Sequence, residues 1–115
     1  MKHLKLRPSS VRVMGRIYLI EYLSTNSLGV DCVGLCDHRK LLISVMDAQH
    51  PVEEADTLLH EIMHAVFFTM SIAEGGADEE QVVRRMATGL MGVFMDNPEL
   101  LKYFSSIKNY DLKGL

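Results

Sequence analysis

The sequence predicts an α+β domain, with its strands in the first half and its helices in the second. Two observations carry that expectation. Between residues 16 and 46 the apolar residues fall in short runs rich in Ile, Val and Tyr, broken by turn chemistry. From residue 51 onward they recur at helical spacing between breaks marked by Gly and Pro. A chain of 115 residues suits one domain with a single core. The sheet is expected over about residues 12–46, one helix over about 51–70 and a second over about 79–95.

The elements follow in order. "RIYLIEYL", Arg16 to Leu23, is apolar on both alternating faces, as in an interior strand. "STNSLG" supplies a turn through Ser24, Asn26 and Gly29. "CVGLC" and "LLISVM" are joined by the polar "DHRK", which predicts an antiparallel hairpin, and "DAQHP" ends the sheet. Pro51 suits a first helical turn, and Glu53 and Glu54 follow where the positive helix end favours anions. "AEGGADEE" reads as a loop with Gly75 and Gly76 as breakers and Asp78 as an N-cap. The second helix stops at "DNP", because Pro98 disfavours helix in the residue before it. A last short helix, "PELLKYFSSI", leads into a polar tail.

Composition narrows the class. Hydrophobic residues make up 48% and charged residues 23%, as in ordinary globular domains. A net charge of −3 with no long basic run argues against a nucleic-acid partner. The first residues are basic but lack the apolar core of a signal peptide, and no apolar run is long enough to span a bilayer. A soluble, cytoplasmic protein is the expectation, with no membrane partner. Cys32 and Cys36 form a single pair with a three-residue gap, so both are read as reduced strand residues rather than metal or redox groups.

The chemistry is concentrated in "DTLLHEIMHAVFF", Asp56 to Phe68, which carries His60, Glu61 and His64 spaced H-E-x-x-H. Residues four apart on a helix lie ~40° apart and one turn along the axis, so two imidazoles can converge on one metal ion. Glu61 projects beside that face, within reach of a metal-bound water without being a ligand. With His60 at 0°, Leu58, Leu59, Ile62, Met63, Ala65, Val66, Phe67 and Met70 fall between about 140° and 340°. The remaining sector holds Thr57, His60, Glu61, His64 and Phe68. A helix buried on most sides, with this polar wedge facing a cleft, is therefore expected. At this composition the motif arises by chance about once in seventy such chains. A chance pair of histidines on a wet surface does not explain an otherwise apolar helix.

A catalytic zinc site takes three protein ligands and an open position. A histidine six residues after His64 would complete one known pattern, but that position is Met70. No histidine follows His64, so the third ligand is a carboxylate of the next helix, or His38 or His50 upstream. In "ADEEQVVRRMATGL" both Glu79 and Glu80 border the apolar stripe expected to meet the first helix. That stripe, Val82, Val83, Met86, Leu90 and Val93, is centred ~30° from Glu79 and ~70° from Glu80. Ala87, two turns on from Glu80, is small enough for close helix approach.

"DTLLHEIMHAVFF" followed by "DEEQVVRRMATGLMGVFMDNPEL" resembles small metallopeptidase-like proteins encoded by bacteriophages and prophages. These are distantly similar to ImmA/IrrE-type zinc peptidases. The resemblance covers roughly residues 40 to 100. It implies a minimal zincin, in which a small, partly antiparallel sheet of three or four strands packs on an active-site helix and a second, glutamate-bearing helix. On this resemblance His60 and His64 are zinc ligands and Glu61 is the catalytic base. Met86 and Ala87 match a small, apolar step that follows the ligand glutamate in such sequences, which points to Glu80 with Glu79 as the alternative.

The expected activity is hydrolysis of peptide bonds in a peptide or protein substrate, with one Zn2+ per chain and Glu61 as general base. Tyr103, Tyr110, His38 and His50 are candidates for stabilising the oxyanion or holding substrate. Two other readings compete. One is a zinc-stabilised interaction or regulatory protein without turnover, against which the presence of Glu61 argues, because a structural site needs no base. The other is a zinc hydrolase acting on a non-peptide substrate.

Overall fold

The computed structural model describes residues 6–24, 32–72 and 78–112, the last four by backbone alone. The expected turn at Asn26 and Gly29 and the breakers Gly75 and Gly76 lie outside the described residues. Among the described residues four strands are present: β1 (Ser10–Val13), β2 (Arg16–Leu23), β3 (Gly34–Asp37) and β4 (Leu42–Met46). Three helices follow: α1 (Pro51–Thr69), α2 (Glu79–Asp96) and α3 (Pro98–Leu112). None of the described helices is long and apolar enough to cross a membrane.

The strands form one mixed sheet in the order β1-β2-β4-β3. β1 with β2 and β3 with β4 are antiparallel, and β2 runs parallel to β4 through Leu19↔Leu42 to Leu23↔Met46. The β3–β4 hairpin is the expected one. Strand β1 was not legible in the sequence. It offers only Val11 and Val13 as apolar residues, and its turn to β2 places Met14 at φ 49° ahead of Gly15 at φ 83°. Positive φ at both central residues suits the right-handed twist of a two-residue hairpin, but a methionine there hides the signal.

All three helices contribute to one core beneath the sheet. Val11, Val13, Tyr18, Ile20, Ile43 and Val45 face them and are buried. The alternate residues Ile17, Leu19 and Leu35 stay exposed on the opposite face. Strand β2 is thus interior within the sheet, as its sequence suggests, yet covered on one face only.

Helix α2 begins with Asp78 accepting from the Gln81 backbone while the Gln81 side chain returns to the Asp78 N–H, a capping box. It meets α1 at Gly89, where a Cβ would stand 2.4 Å from Val66 Cγ1. Ala87, expected to make that approach, is exposed instead. Asn97 does more than end α2. Its buried amide accepts from the Arg12 N–H at 2.9 Å and donates to the Arg12 and Val93 carbonyls, pairing the edge of β1. Helix α3 runs on to Leu112, past the expected ten residues.

One polar cluster lies within the core. Glu54 is 2% exposed and accepts hydrogen bonds from the Arg7 guanidinium and the Tyr103 hydroxyl. Arg7 also reaches Asp47 at 2.6 Å and lies 4.2 Å over the Tyr22 ring. Glu54, expected only to favour the helix dipole, thus ties α1 to the N-terminal segment and to α3. Removing one partner of a buried ion pair typically costs about 3–5 kcal/mol. Glu54→Ala should lose about 3 kcal/mol in urea unfolding, near the low end because Asp47 still pairs with Arg7. A loss under about 1 kcal/mol would place the cluster with solvated surface pairs.

Candidate metal centre

Strand β3 and helix α1 build the site along their common border. Alternation sends Gly34 and Cys36 toward α1, while Leu35 faces solvent, and His38 follows in the turn after the strand. The strand comes close to the helix because Gly34 has no side chain. A Cβ there would lie 2.7 Å from Thr57 Cγ2 and 2.8 Å from Glu61 Oε2. Glu61 is consequently buried, at 7% exposure, one residue from an exposed histidine. Burial raises its proton affinity, against the charges of His60 and His64, which lower it.

His60 and His64 project from successive turns with Nε2 atoms 3.2 Å apart and rings inclined at 68°. Two nitrogens on one tetrahedral zinc at ~2.0–2.1 Å stand about 3.3–3.4 Å from each other. The pair therefore already has nearly the spacing of two zinc ligands. Both rings are exposed, as are Met63, Phe67 and Phe68 at 37%, 38% and 58%. This corrects the expectation of a helix buried on most sides. The sheet, α2 and α3 cover the inner and lateral faces of α1, and an outer helix keeps its remaining sector in solvent.

Two hollows flank the motif. One, of about 400 Å³, is bordered by Arg16, His38, His64 and Phe68. The other, of about 270 Å³, is bordered by Gly34, Asp56, Thr57, His60 and Glu61. Arg16 was not singled out in the sequence. It opens β2 and is paired with Val13, on the helix-facing side of the sheet. No motif marks such a residue, because only strand pairing brings it here.

The remaining expected residues divide. Glu79 and Glu80 are exposed in the first turn of α2. That helix meets α1 through Gly89 on Val66 and Met70, and Arg85 Nη1 donates to the Ser71 carbonyl at 3.3 Å. Val66 lies about 160° round α1 from His64. The antiparallel run of α2 then carries Glu79 and Glu80 beyond the C-terminal end of α1, and they do not join the histidines. His50 caps α1, its Nδ1 accepting from the Val52 N–H, ten residues and ~15 Å along the axis from His60. Tyr103 is committed to Glu54 in the core, and the Tyr110 side chain lies outside the described residues.

His38 is the expected residue that does arrive. Its ring stacks on Phe68 at 4.2 Å, with the planes 6° apart, and its Nδ1 lies 3.4 Å from the Tyr18 hydroxyl. Burial, and then the charge of His64, lower its proton affinity. Cys36 is a free thiol pushed up to about 12 by burial, then by Glu61 and Asp37, and Cys32 is also free. Among the described residues, no three His, Cys, Asp or Glu side chains are grouped closely enough to hold a metal ion. The histidine pair fits zinc in spacing and chemistry, and among the described residues no third such donor stands beside it.

Neither the protein-family models, the curated proteins nor the solved structures contain a match to this chain.

The raised proton affinity of Glu61 has a consequence for stability. A carboxyl group whose folded pKa lies above its unfolded value supports the fold fully below the unfolded value, about 4.5 here. That contribution is lost as pH rises through the higher folded value. With chelator present, Glu61→Gln should therefore melt at a higher temperature than wild type at pH 7. The two melting curves should converge near pH 4. An equal difference at both pH values would show that ionisation of Glu61 costs the fold nothing.

Proposed function

We propose that this protein is a metal-dependent hydrolase, best read as a zinc metallopeptidase. The observation that carries the reading is the Nε2 pair of His60 and His64 at 3.2 Å, with a buried carboxylate, Glu61, on the adjoining face. The resemblance to phage-encoded peptidase-like proteins points the same way. His60 and His64 would hold the ion. Zinc, when bound, lowers the pKa of a water molecule toward ~7 and polarises a carbonyl group.

The other roles belong to the chain. Glu61 takes the proton of the attacking water at its carboxylate and returns it to the leaving amine. Its raised proton affinity brings it nearer the operating pH, where a group that both accepts and releases a proton works best. Arg16 supplies positive charge on the His64 side of the cleft, where it can hold a substrate carboxylate. A site that only stabilised the fold would need no such base.

A peptide substrate is favoured by the edge position of β3. Val33 accepts from Met46 within the sheet at 2.8 Å, so the alternate residues Gly34 and Cys36 turn their backbone groups away from β4. The Gly34 carbonyl accepts from the Cys32 thiol at 3.0 Å. An extended peptide laid along this border would pass directly over Glu61 and the two histidines.

Wild-type protein should bind about one zinc per chain by elemental analysis, and His60→Ala should not. Glu61→Gln should retain the metal but cleave none of the members of a peptide library that the wild type cleaves. The amide is nearly isosteric and does not accept the proton. Unchanged cleavage by Glu61→Gln would remove Glu61 from the chemistry. Loss of zinc in that variant would make Glu61 a ligand instead.

A further inference from the structure

Resting on the metallohydrolase reading above, we infer that His38 is the third protein ligand of the metal held by His60 and His64. The strand that precedes it, β3, runs alongside α1, with Gly34 against Thr57 and Glu61. His38 follows in the turn after Asp37, where it stacks on Phe68, one helical turn from His64, and borders the same hollow as His64. The turn that ends β3 thus brings a third imidazole to the border where a period of about four on the helix delivers the first two.

The orientation of the ring agrees with that role. His38 Nδ1 points inward, 3.4 Å from the hydroxyl of the fully buried Tyr18 and 3.6 Å from Cys36 Sγ. Burial pushes the Tyr18 hydroxyl above its ordinary pKa, so it stays an O–H at neutral pH. A histidine that binds metal through Nε2 generally has its Nδ1–H held by a polar partner, which fixes tautomer and ring plane. Tyr18 is placed to be that partner. His60 and His64 meet through their Nε2 atoms, and His38 would join them through the same atom on leaving Phe68.

The competing carboxylates and His50 are worse placed. Glu79 and Glu80 project from the first turn of α2, and His50 caps the other end of α1. Three histidines with an open fourth position make a known catalytic zinc arrangement. In the described conformation His38 lies face to face with Phe68, and closing on the pair requires it to leave that stack.

Competitive titration with a chromophoric zinc chelator tests the assignment on the full chain. His38→Ala and His38→Gln should each weaken zinc binding by more than the ~10–100-fold that an outer partner contributes. Tyr18→Phe should fall within that range, and Glu80→Ala should bind as wild type does. Cobalt(II) in place of zinc should show intense tetrahedral absorption bands in wild type that collapse in His38→Gln. Circular dichroism confirms that the variants are folded. If His60→Ala loses zinc while both His38 variants keep wild-type affinity, the ligand assignment is wrong and the metal site stands. Loss of affinity in Glu80→Ala alone would place the ligand on α2. If wild-type protein binds no zinc, the metallohydrolase reading itself fails, and the assignment with it.

Discussion

The close approach of β3 to α1 at Gly34 is the contact on which the site depends. With no Cβ between them, the strand seats against Thr57 and Glu61, and the motif helix acquires a wall on its polar flank. That wall buries Glu61 and leaves His60 and His64 at the surface, so one five-residue span holds a desolvated base and two accessible imidazoles. A larger residue at position 34 would push the carboxylate away or separate strand from helix. The opposite end of α1 is fixed separately. Glu54, Arg7 and Tyr103 bind it to the N-terminal segment and to α3, two helical turns from Glu61.

Local features were legible in the sequence and long-range ones were not. The bounds of α1 and α2, the Asp78 cap and the β3–β4 hairpin follow from neighbouring residues, and the H-E-x-x-H spacing fixes how His60 and His64 meet. The parallel pairing of β2 with β4 leaves no local trace, nor does the packing that brings Arg16, at the start of β2 beside Val13, to the cleft. The flank of α1 that α2 meets also depends on tertiary packing. The expected stripe of α2 meets the core through Val82, Met86, Leu90 and Val93, whereas Val83 is exposed and the close approach to α1 falls at Gly89 rather than Ala87. The direction of α2 then carries Glu79 and Glu80 away from the histidines.

Three acidic residues illustrate the same limit from opposite sides. Glu54 looked like an ordinary first-turn acid and proves to be a buried partner of three elements. Glu79 and Glu80 looked like ligands and lie in solvent. Helical periodicity places a carboxylate on a face but does not say what that face meets. His38 was named as an upstream donor because no histidine follows His64, and its place in the turn just after β3 brings it to the cleft.

The reading of this molecule turns on whether the 3.2 Å between the two Nε2 atoms is the span of a metal site or of a hydrogen bond between imidazoles. Crystals grown with zinc and measured on both sides of its absorption edge separate the two. The account predicts one anomalous peak per chain, ~2.0–2.1 Å from Nε2 of both His60 and His64. An empty map between the rings, with the imidazoles still bonded to each other, would contradict it.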